Sequence, residues 1–473
     1  MLIGRKEEVQ RLHELITKSE SQFCVVYGRR RVGKTYLVRE AFHYEFAFSH
    51  TGVYQGNLRR QLQSFQSSLI SYGLTDCPKL KNWFEAFEQL KRLIDICPAG
   101  KKVLFIDELP WMDTSKSNLV SEVENFWNGW ATARPQKDIV LIVCGSATSW
   151  ITKKLLKNKG GLRGRLTERI MLQPFNLSEC EEFANSVGLA MSRKDIMEMY
   201  MAIGGIPYYW NFLQRGRSVA QNIDLLFFDK DAQLRDEFEA LYSTIFKNPA
   251  GYVKVIEALG QRRMGLNRDE ILSISGIQDG GTFSTILAEL EQCGFIRRYQ
   301  PFGLKENNAL YQLIDNYTLF YFHCIRKNAF ADEAYWQHTY LSPSHSIWSG
   351  LAFEQVCLQH IPQIKSALGI SGVVSNVCSW RTGKTDSHPG AQIDLLIVRG
   401  DNVVNVCEMK YYNAPYVITD AEALRLRERM SIFKQTTKTR MALHLTMITC
   451  FGVARNENWS TVQSEVMLDD LFS

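Results

Sequence analysis

The segment Gly28–Thr35 reads GRRRVGKT and fits the spacing GxxxxGK[ST]. No other feature constrains the fold as much, because this loop works only between a strand and a helix. Phe23–Tyr27 is a short apolar run that reads as a buried strand, and Tyr36–Phe42 continues as a helix. Gly28 and Gly33 let the backbone wrap closely around phosphate oxygens with its N–H groups pointing inward. The helix that starts after Gly33 adds partial positive charge at its N-terminus. Lys34 is placed to reach the β- and γ-phosphates, and Thr35 supplies a hydroxyl for Mg²⁺. Arg29, Arg30, Arg31 and Val32 fill the variable part of this nucleotide-binding loop, where the arginines touch phosphate or face a partner. The competing reading of the whole run is a basic surface turn.

At 473 residues the chain is long enough for two to four domains, each with its own core. A net charge of +5 permits nucleic-acid binding without arguing for it, since charge must be clustered to matter. The 11 cysteines are scattered, with no CxxC pair and no zinc-finger spacing. This reads as reduced thiols in a cytoplasmic protein. No signal peptide and no membrane-spanning run is expected. A second GKT at Gly383–Thr385 has Cys378 where the first glycine is required, and reads as a loop.

A nucleotide site needs more than one loop. Val103–Ile106 reads as a buried strand that ends in Asp107-Glu108. This resembles the Walker B element: Asp107 is a candidate Mg²⁺ ligand, and Glu108 the group that polarises the attacking water. Ile139–Cys144 is another buried strand, and Ser146, just past it, is the candidate sensor between the acids and the loop. Buried strands interleaved with helices imply a parallel sheet with helices on both faces. Ligand then sits at the carboxyl ends of the strands, where Gly28, Asp107 and Ser146 all fall.

Ile3-Gly4-Arg5-Lys6-Glu7-Glu8, followed by an amphipathic helix, resembles the opening box of the archaeal-type ATPases, which are AAA+/STAND-related P-loop proteins. The resemblance implies that the Gly4-Arg5 segment packs near adenine. It also implies that the bound nucleotide is ATP with Mg²⁺. Gly161–Arg165 matches the family's gly/arg element, which makes Arg163 or Arg165 a candidate γ-phosphate arginine, in cis or from a neighbour. Gly204-Gly205-Ile206-Pro207 matches the turn that closes the ATPase domain, and implies a hinge at Pro207 beside the nucleotide.

The pattern changes near Pro249. Three helical segments, Val253–Leu259, Arg268–Ile274 behind Asn267 as N-cap, and Thr282–Cys293, precede two short strands around Pro301–Asn308. Three helices and a hairpin resemble a winged helix-turn-helix. The third helix carries no basic residue, whereas base-reading helices use Arg, Lys, Asn or Gln. Arg297, Arg298 and Lys305 in the wing supply a few phosphate contacts. The module is read either as a DNA contact or as a protein-interaction connector.

Tyr335–Tyr340 and the Ser342–Ser344 turn read as a linker into a third domain. There Glu354 lies on an amphipathic helix, and Asp394 and Glu408-Met409-Lys410 lie on two successive strands. They resemble the D…ExK core of the PD-(D/E)XK nuclease fold. That likeness implies Mg²⁺ held by Asp394 and Glu408, with Lys410 acting on water and Glu354 completing the metal shell. Glu408 and Lys410 share a strand face. A three-residue loop, Gly400–Asn402, pairs Asp394 with Glu408. A two-residue loop pairs Asp394 with Cys407 and turns Glu408 away. The competing reading is a charged strand edge.

The expected fold class is therefore α/β. A P-loop parallel-sheet ATPase domain (1–210) is followed by a helical linker with a winged helix-turn-helix (211–330) and an α/β nuclease-like domain (331–473). The expected function is an ATPase that regulates an Mg²⁺-dependent nuclease-like domain acting on DNA. The alternative is a nucleotide-dependent interaction protein whose terminal domain is not catalytic.

Overall fold

The computed structural model describes all residues except 1, 159, 247, 263, 305–307, 329–331, 341 and 387. The chain divides into two compact units, Met1–Pro174 and Phe175–Ser473.

The first unit is a five-stranded parallel sheet. Its strands are β1 (Gln22–Gly28), β2 (Phe48–Thr51), β3 (Lys102–Asp107), β4 (Ile139–Gly145) and β5 (Glu168–Leu172), in spatial order β2-β3-β4-β1-β5. Composition and place in the sheet agree. Every residue of β3 and β4 is buried, as is nearly all of β1, which suits central strands covered on both faces. β2 and β5 alternate between buried and exposed positions, as edge strands do. An aromatic core covers one face, with Phe65, Trp83, Phe87 and Phe126 packed beside Phe23 and Phe48. Helix α1 (Lys6–Thr17) and helix α2 (Lys34–Ala41) pack against each other, and α2 leaves β1 directly through the Gly28–Thr35 loop.

The second unit opens with helices Leu177–Ser186 and Arg193–Ile203. At the turn between them and the next helix, a Cβ on Gly205 would strike the Phe175 carbonyl, so a side chain cannot be accommodated there. Helices Pro249–Gly260, Arg268–Ser275 and Gly281–Gln292 follow, then the antiparallel pair β6 (Ile296–Tyr299) and β7 (Leu310–Leu313). Asn267 caps the second of these helices through a reciprocal capping box with Glu270. Lys305 lies outside the described residues.

The expected linker is instead packed structure. Tyr335–Thr339 is a helix whose Trp336 is buried, and the Trp336 N–H donates to the Asp224 carboxylate at 2.7 Å. Ser342 caps the helix Pro343–Gln359. Indole burial and capping outweigh the turn signal of Ser342-Pro343-Ser344, because proline is favourable in a helix's first turn.

A second five-stranded sheet closes the chain: β8 (Ser375–Thr382), β9 (Ala391–Arg399), β10 (Val403–Lys410), β11 (Ala442–Thr449) and β12 (Ser464–Met467). Their spatial order is β12-β11-β10-β9-β8. The β8–β9–β10 meander is antiparallel, and helix Asp420–Thr437 carries the crossover to β11, which runs parallel to β10. Gly383–Thr385 is irregular, as expected.

Candidate functional site

In the first unit, one cluster is built where three adjacent strands end. Because β4 lies between β1 and β3, Ser146 is interposed between the Gly28–Thr35 loop and the acids Asp107-Glu108. The Ser146 backbone N–H and hydroxyl both donate to one Glu108 oxygen, at 3.1 and 3.0 Å. The Thr35 hydroxyl donates to Asp107 Oδ2 at 2.8 Å, and the Glu108 N–H donates to Asp107 Oδ1 at 3.0 Å. Lys34, almost fully buried, donates to the carbonyls of Gly28 (3.1 Å) and Arg29 (2.7 Å).

Glu108 adopts the left-handed backbone region, φ 47°, at the turn into a short helix. Burial pushes its carboxyl above the usual carboxylate range, although Lys34 and the Ser146 N–H pull the other way. A group poised so is suited to take a proton or hold a water. The Thr35 hydroxyl and the Asp107 carboxylate form a hard-oxygen pair. They fit Mg²⁺, an ion that ordinarily takes one or two protein oxygens and completes its shell with phosphate and water.

The glycines act differently from one another. Gly33, φ 90°, begins α2 with open space around it, which leaves room for a ligand beside the backbone. Gly28, φ 143°, lies against β5, where a Cβ would strike the Leu172 carbonyl. The first glycine is thus demanded by strand packing, a reason beyond phosphate approach. Arg29 and Val32 are buried while Arg30 and Arg31 are half-buried, and Arg31 takes φ 70°.

The Gly4-Arg5 segment and the Arg163–Arg165 turn flank opposite ends of β5. Arg5 is buried, and its guanidinium donates to the Gln173 carbonyl at 2.6 Å. Gly4 and Arg5 are both left-handed (φ 58° and 57°), and this contact holds the segment at the end of β5 that pairs with Gly28. Arg163 and Arg165 lie at the opposite end of the sheet from the Gly28–Thr35 loop of their own chain. Leu172 pairs with Gly28 and Glu168 with Cys24, so both arginines precede β5 at the far end of the strands. They lie beyond a strand that spans roughly 13 Å at its usual rise. Their turn is locked facing outward: the Gly161 N–H donates to Glu124 at 3.0 Å and its carbonyl accepts from Asn128 at 2.9 Å, and both arginines are exposed. Pro207 belongs to the second unit, where it begins the short helix Pro207–Trp210.

β9 and β10 pair Val398 with Val404 through to Leu395 with Cys407, which leaves the three-residue loop Gly400–Asn402, and that register extended by one residue sets Asp394 opposite Glu408. Asn402 takes φ 65°, the left-handed residue that this loop length requires. Gln392 donates to Asp394 at 2.6 Å. Lys410 reaches Glu408 at 2.9 Å, and Arg429, from the crossover helix, bonds the other Glu408 oxygen. Burial lowers the Lys410 pKa and Glu408 raises it, with a net upward result. Glu354 lines both the cavity that contains Asp394 and the cleft that contains Lys410. Among the described residues, no group of three or more His, Cys, Asp and Glu side chains is arranged to hold a metal. Arg429 is not foreseeable from spacing, because only the parallel crossover returns it to β10.

Residues 2–211 match the family described as an ATPase domain predominantly from Archaea. This segment includes the first unit and continues through helices of the second. An uncharacterized protein of Methanocaldococcus jannaschii is 25% identical over 417 residues, 85% of each chain. Among solved structures, a Walker-type ATPase of Pyrococcus abyssi is similar over 67% of this chain and 95% of its own, at 17% identity and TM-score 0.46. The Aeropyrum pernix ORC2 protein is similar over 70% of this chain and 96% of its own, at 12% identity and TM-score 0.41. No helix among the described residues is long and apolar enough to cross a membrane.

Proposed function

We propose that the protein binds and hydrolyses ATP at the Gly28–Thr35 loop, and that the nucleotide cycle controls a nuclease-like site acting on DNA in the terminal domain. One observation carries the ATPase reading: Lys34, the Thr35–Asp107 pair and the Ser146–Glu108 pair meet at the ends of three adjacent strands. Bound Mg²⁺ supplies charge neutralisation of the β- and γ-phosphates. Thr35 and Asp107 would hold it, Lys34 would leave its two carbonyls for phosphate oxygens, and Glu108, oriented by Ser146, would take the proton of the attacking water. Arg163 and Arg165, held outward, fit a role toward the nucleotide of a neighbouring copy. The Gly204–Pro207 turn is the hinge in this reading. Release of phosphate from ATP by the wild type, lost in Lys34→Ala and in Glu108→Gln, is the expected result. Undiminished release in Glu108→Gln would remove that residue from the mechanism.

The nuclease part rests on the β9–β10 register, which extended one residue past the Leu395–Cys407 pair sets Asp394 opposite Glu408, with Lys410 two residues on. The three helices with the β6–β7 pair are read as a winged helix that connects the two activities. A second reading, a terminal domain that binds without cutting, draws on the two cations already seated on Glu408. A half-buried carboxylate balanced in this way has less affinity left for a metal. Mg²⁺-dependent cleavage of DNA by the wild type, lost in Asp394→Ala and Lys410→Ala, decides for the nuclease. Uncut DNA of every form, with ATP or without, decides for the binding domain.

A further inference from the structure

The β6–β7 pair is not an independent wing. The Phe302 N–H, three residues past β6, donates to the Ser379 carbonyl of β8 at 2.8 Å. Ser379 lies at the register shift between Cys378 and Trp380, where the ladder to β9 is interrupted. The Phe302 ring enters the terminal sheet's core cluster, 5.1 Å from Phe433 in an edge-to-face arrangement, with Trp380 also 5.1 Å from Phe433. Nearby, Arg381 of β8 faces Glu270 of the helical module at 3.8 Å.

This attachment has a consequence for the acids. Arg297 and Tyr299 of β6 and Gln312 of β7 form one wall of a cavity of about 100 Å³, and Glu354, Gln355 and Asp394 form another. Sites that enclose an organic ligand ordinarily measure roughly 300–1,000 Å³. The cavity therefore accommodates a few waters or an ion, but no nucleotide.

We propose that the β6–β7 pair with Phe302 is a latch: fastened on β8, it closes the Glu354/Asp394 cavity to a polynucleotide, and release from β8 opens it. The proposal rests on the nuclease-like reading for what would enter, but not for the latch itself. The contacts suit a releasable device. The Phe302–Ser379 backbone hydrogen bond, a Tyr299–Ser379 side-chain hydrogen bond, one ring and one partly exposed ion pair hold it, whereas β10 is paired with β11 along its whole length. Release also uncovers Arg297, whose Nε now donates to Gln312 at 2.7 Å and whose guanidinium stacks 4.8 Å from the Tyr299 ring.

The test is hydrogen exchange on the full chain, wild type against Phe302→Asp and Arg381→Glu, with plasmid nicking in Mg²⁺ measured in parallel. The first variant places a charge in the aromatic cluster, and the second turns an ion pair into a repulsion. Exchange at Arg297–Tyr299 and Gln392–Asp394 is expected to quicken about tenfold in Phe302→Asp and about threefold in Arg381→Glu, with β10 and β11 unchanged. If Phe302→Asp unfolds the terminal sheet, Arg381→Glu alone decides. Unchanged exchange at both segments in Arg381→Glu, or in a folded Phe302→Asp, overturns the latch. Faster exchange with increased nicking that Asp394→Ala abolishes supports latch and nuclease together. Faster exchange without nicking keeps the latch and removes the nuclease.

Discussion

The two sites place acids at strands in opposite ways. In the first unit, Asp107 and Glu108 come from the end of β3, Ser146 from the end of β4 and Lys34 from the start of α2 behind β1, and the topology of the parallel sheet assembles them. In the terminal sheet, Asp394, Glu408 and Lys410 come from two strands of one hairpin, and the length of a single loop assembles them. The electrostatics differ as well. Glu108 is half-buried, is hydrogen-bonded to Ser146, and has its proton affinity raised, while Lys34 rests on neutral carbonyls. Glu408 already carries Lys410 and Arg429. A site made by topology tolerates changes in its loops and fails when a strand end changes. A site made by register fails when a turn changes.

The largest break is expected from Glu108→Gln. The rate of ATP hydrolysis should fall on the order of a thousandfold, with ATP affinity held within about threefold. Single-turnover kinetics and equilibrium binding separate the two effects. The raised pKa adds a pH signature. As pH falls through it, the carboxylate is protonated and hydrolysis slows, so the wild type's acid limb should lie above the usual carboxylate range and be absent in Glu108→Gln. Burial disfavours the charged form, so Glu108 costs the folded state stability once pH exceeds the ordinary carboxylate pKa. Glu108→Gln should therefore raise Tm at neutral pH, and the gain should vanish below about pH 4.

Lys34→Ala removes a buried cation seated on the loop's own carbonyls. ATP affinity should drop on the order of a hundredfold, or about 2.7 kcal/mol, by titration with a fluorescent ATP analogue. Gly28→Ala tests the packing of β1 on β5. The added methyl meets the Leu172 carbonyl at a positive φ, and unfolding stability should fall by about 2 kcal/mol in urea titrations. Alanine at Gly33, with open space around it, should cost about 1 kcal/mol, from backbone conformation alone.

The smallest expected effect sharpens the register side of the comparison. Asn402→Gly should be within about 0.5 kcal/mol of wild type, and Asn402→Val should cost about 1–2 kcal/mol, because only the β-branched residue resists φ 65°. An equal cost for both would mean that the Asn402 side chain, rather than its backbone, sets the hairpin.

Much of the nucleotide site is legible in the residue order. An apolar run, a glycine-rich loop and a hydroxyl after lysine are all local, and the acids that end β3 are local too. The Arg163–Arg165 turn shows the limit. Arg163 and Arg165 are near the sensor strand in sequence, yet a parallel strand must be entered from the end opposite its ligands. In the second unit, Ser342-Pro343-Ser344 has the composition of a turn, and only the burial of Trp336 and the helix that follows show it to be a helix start.

By itself, then, the sequence determined the P-loop, the acids at the end of β3, the buried strands and the pairing alternatives of the terminal hairpin, because each depends on neighbours within a few residues. Tertiary structure alone decided which alternative holds, that Arg429 joins Glu408, that Gly28 is required by β5, and that Phe302 fastens the β6–β7 pair to β8. These are contacts across long stretches of chain. Their energies depend on which strands become neighbours, a property of the folded sheet that no local spacing encodes.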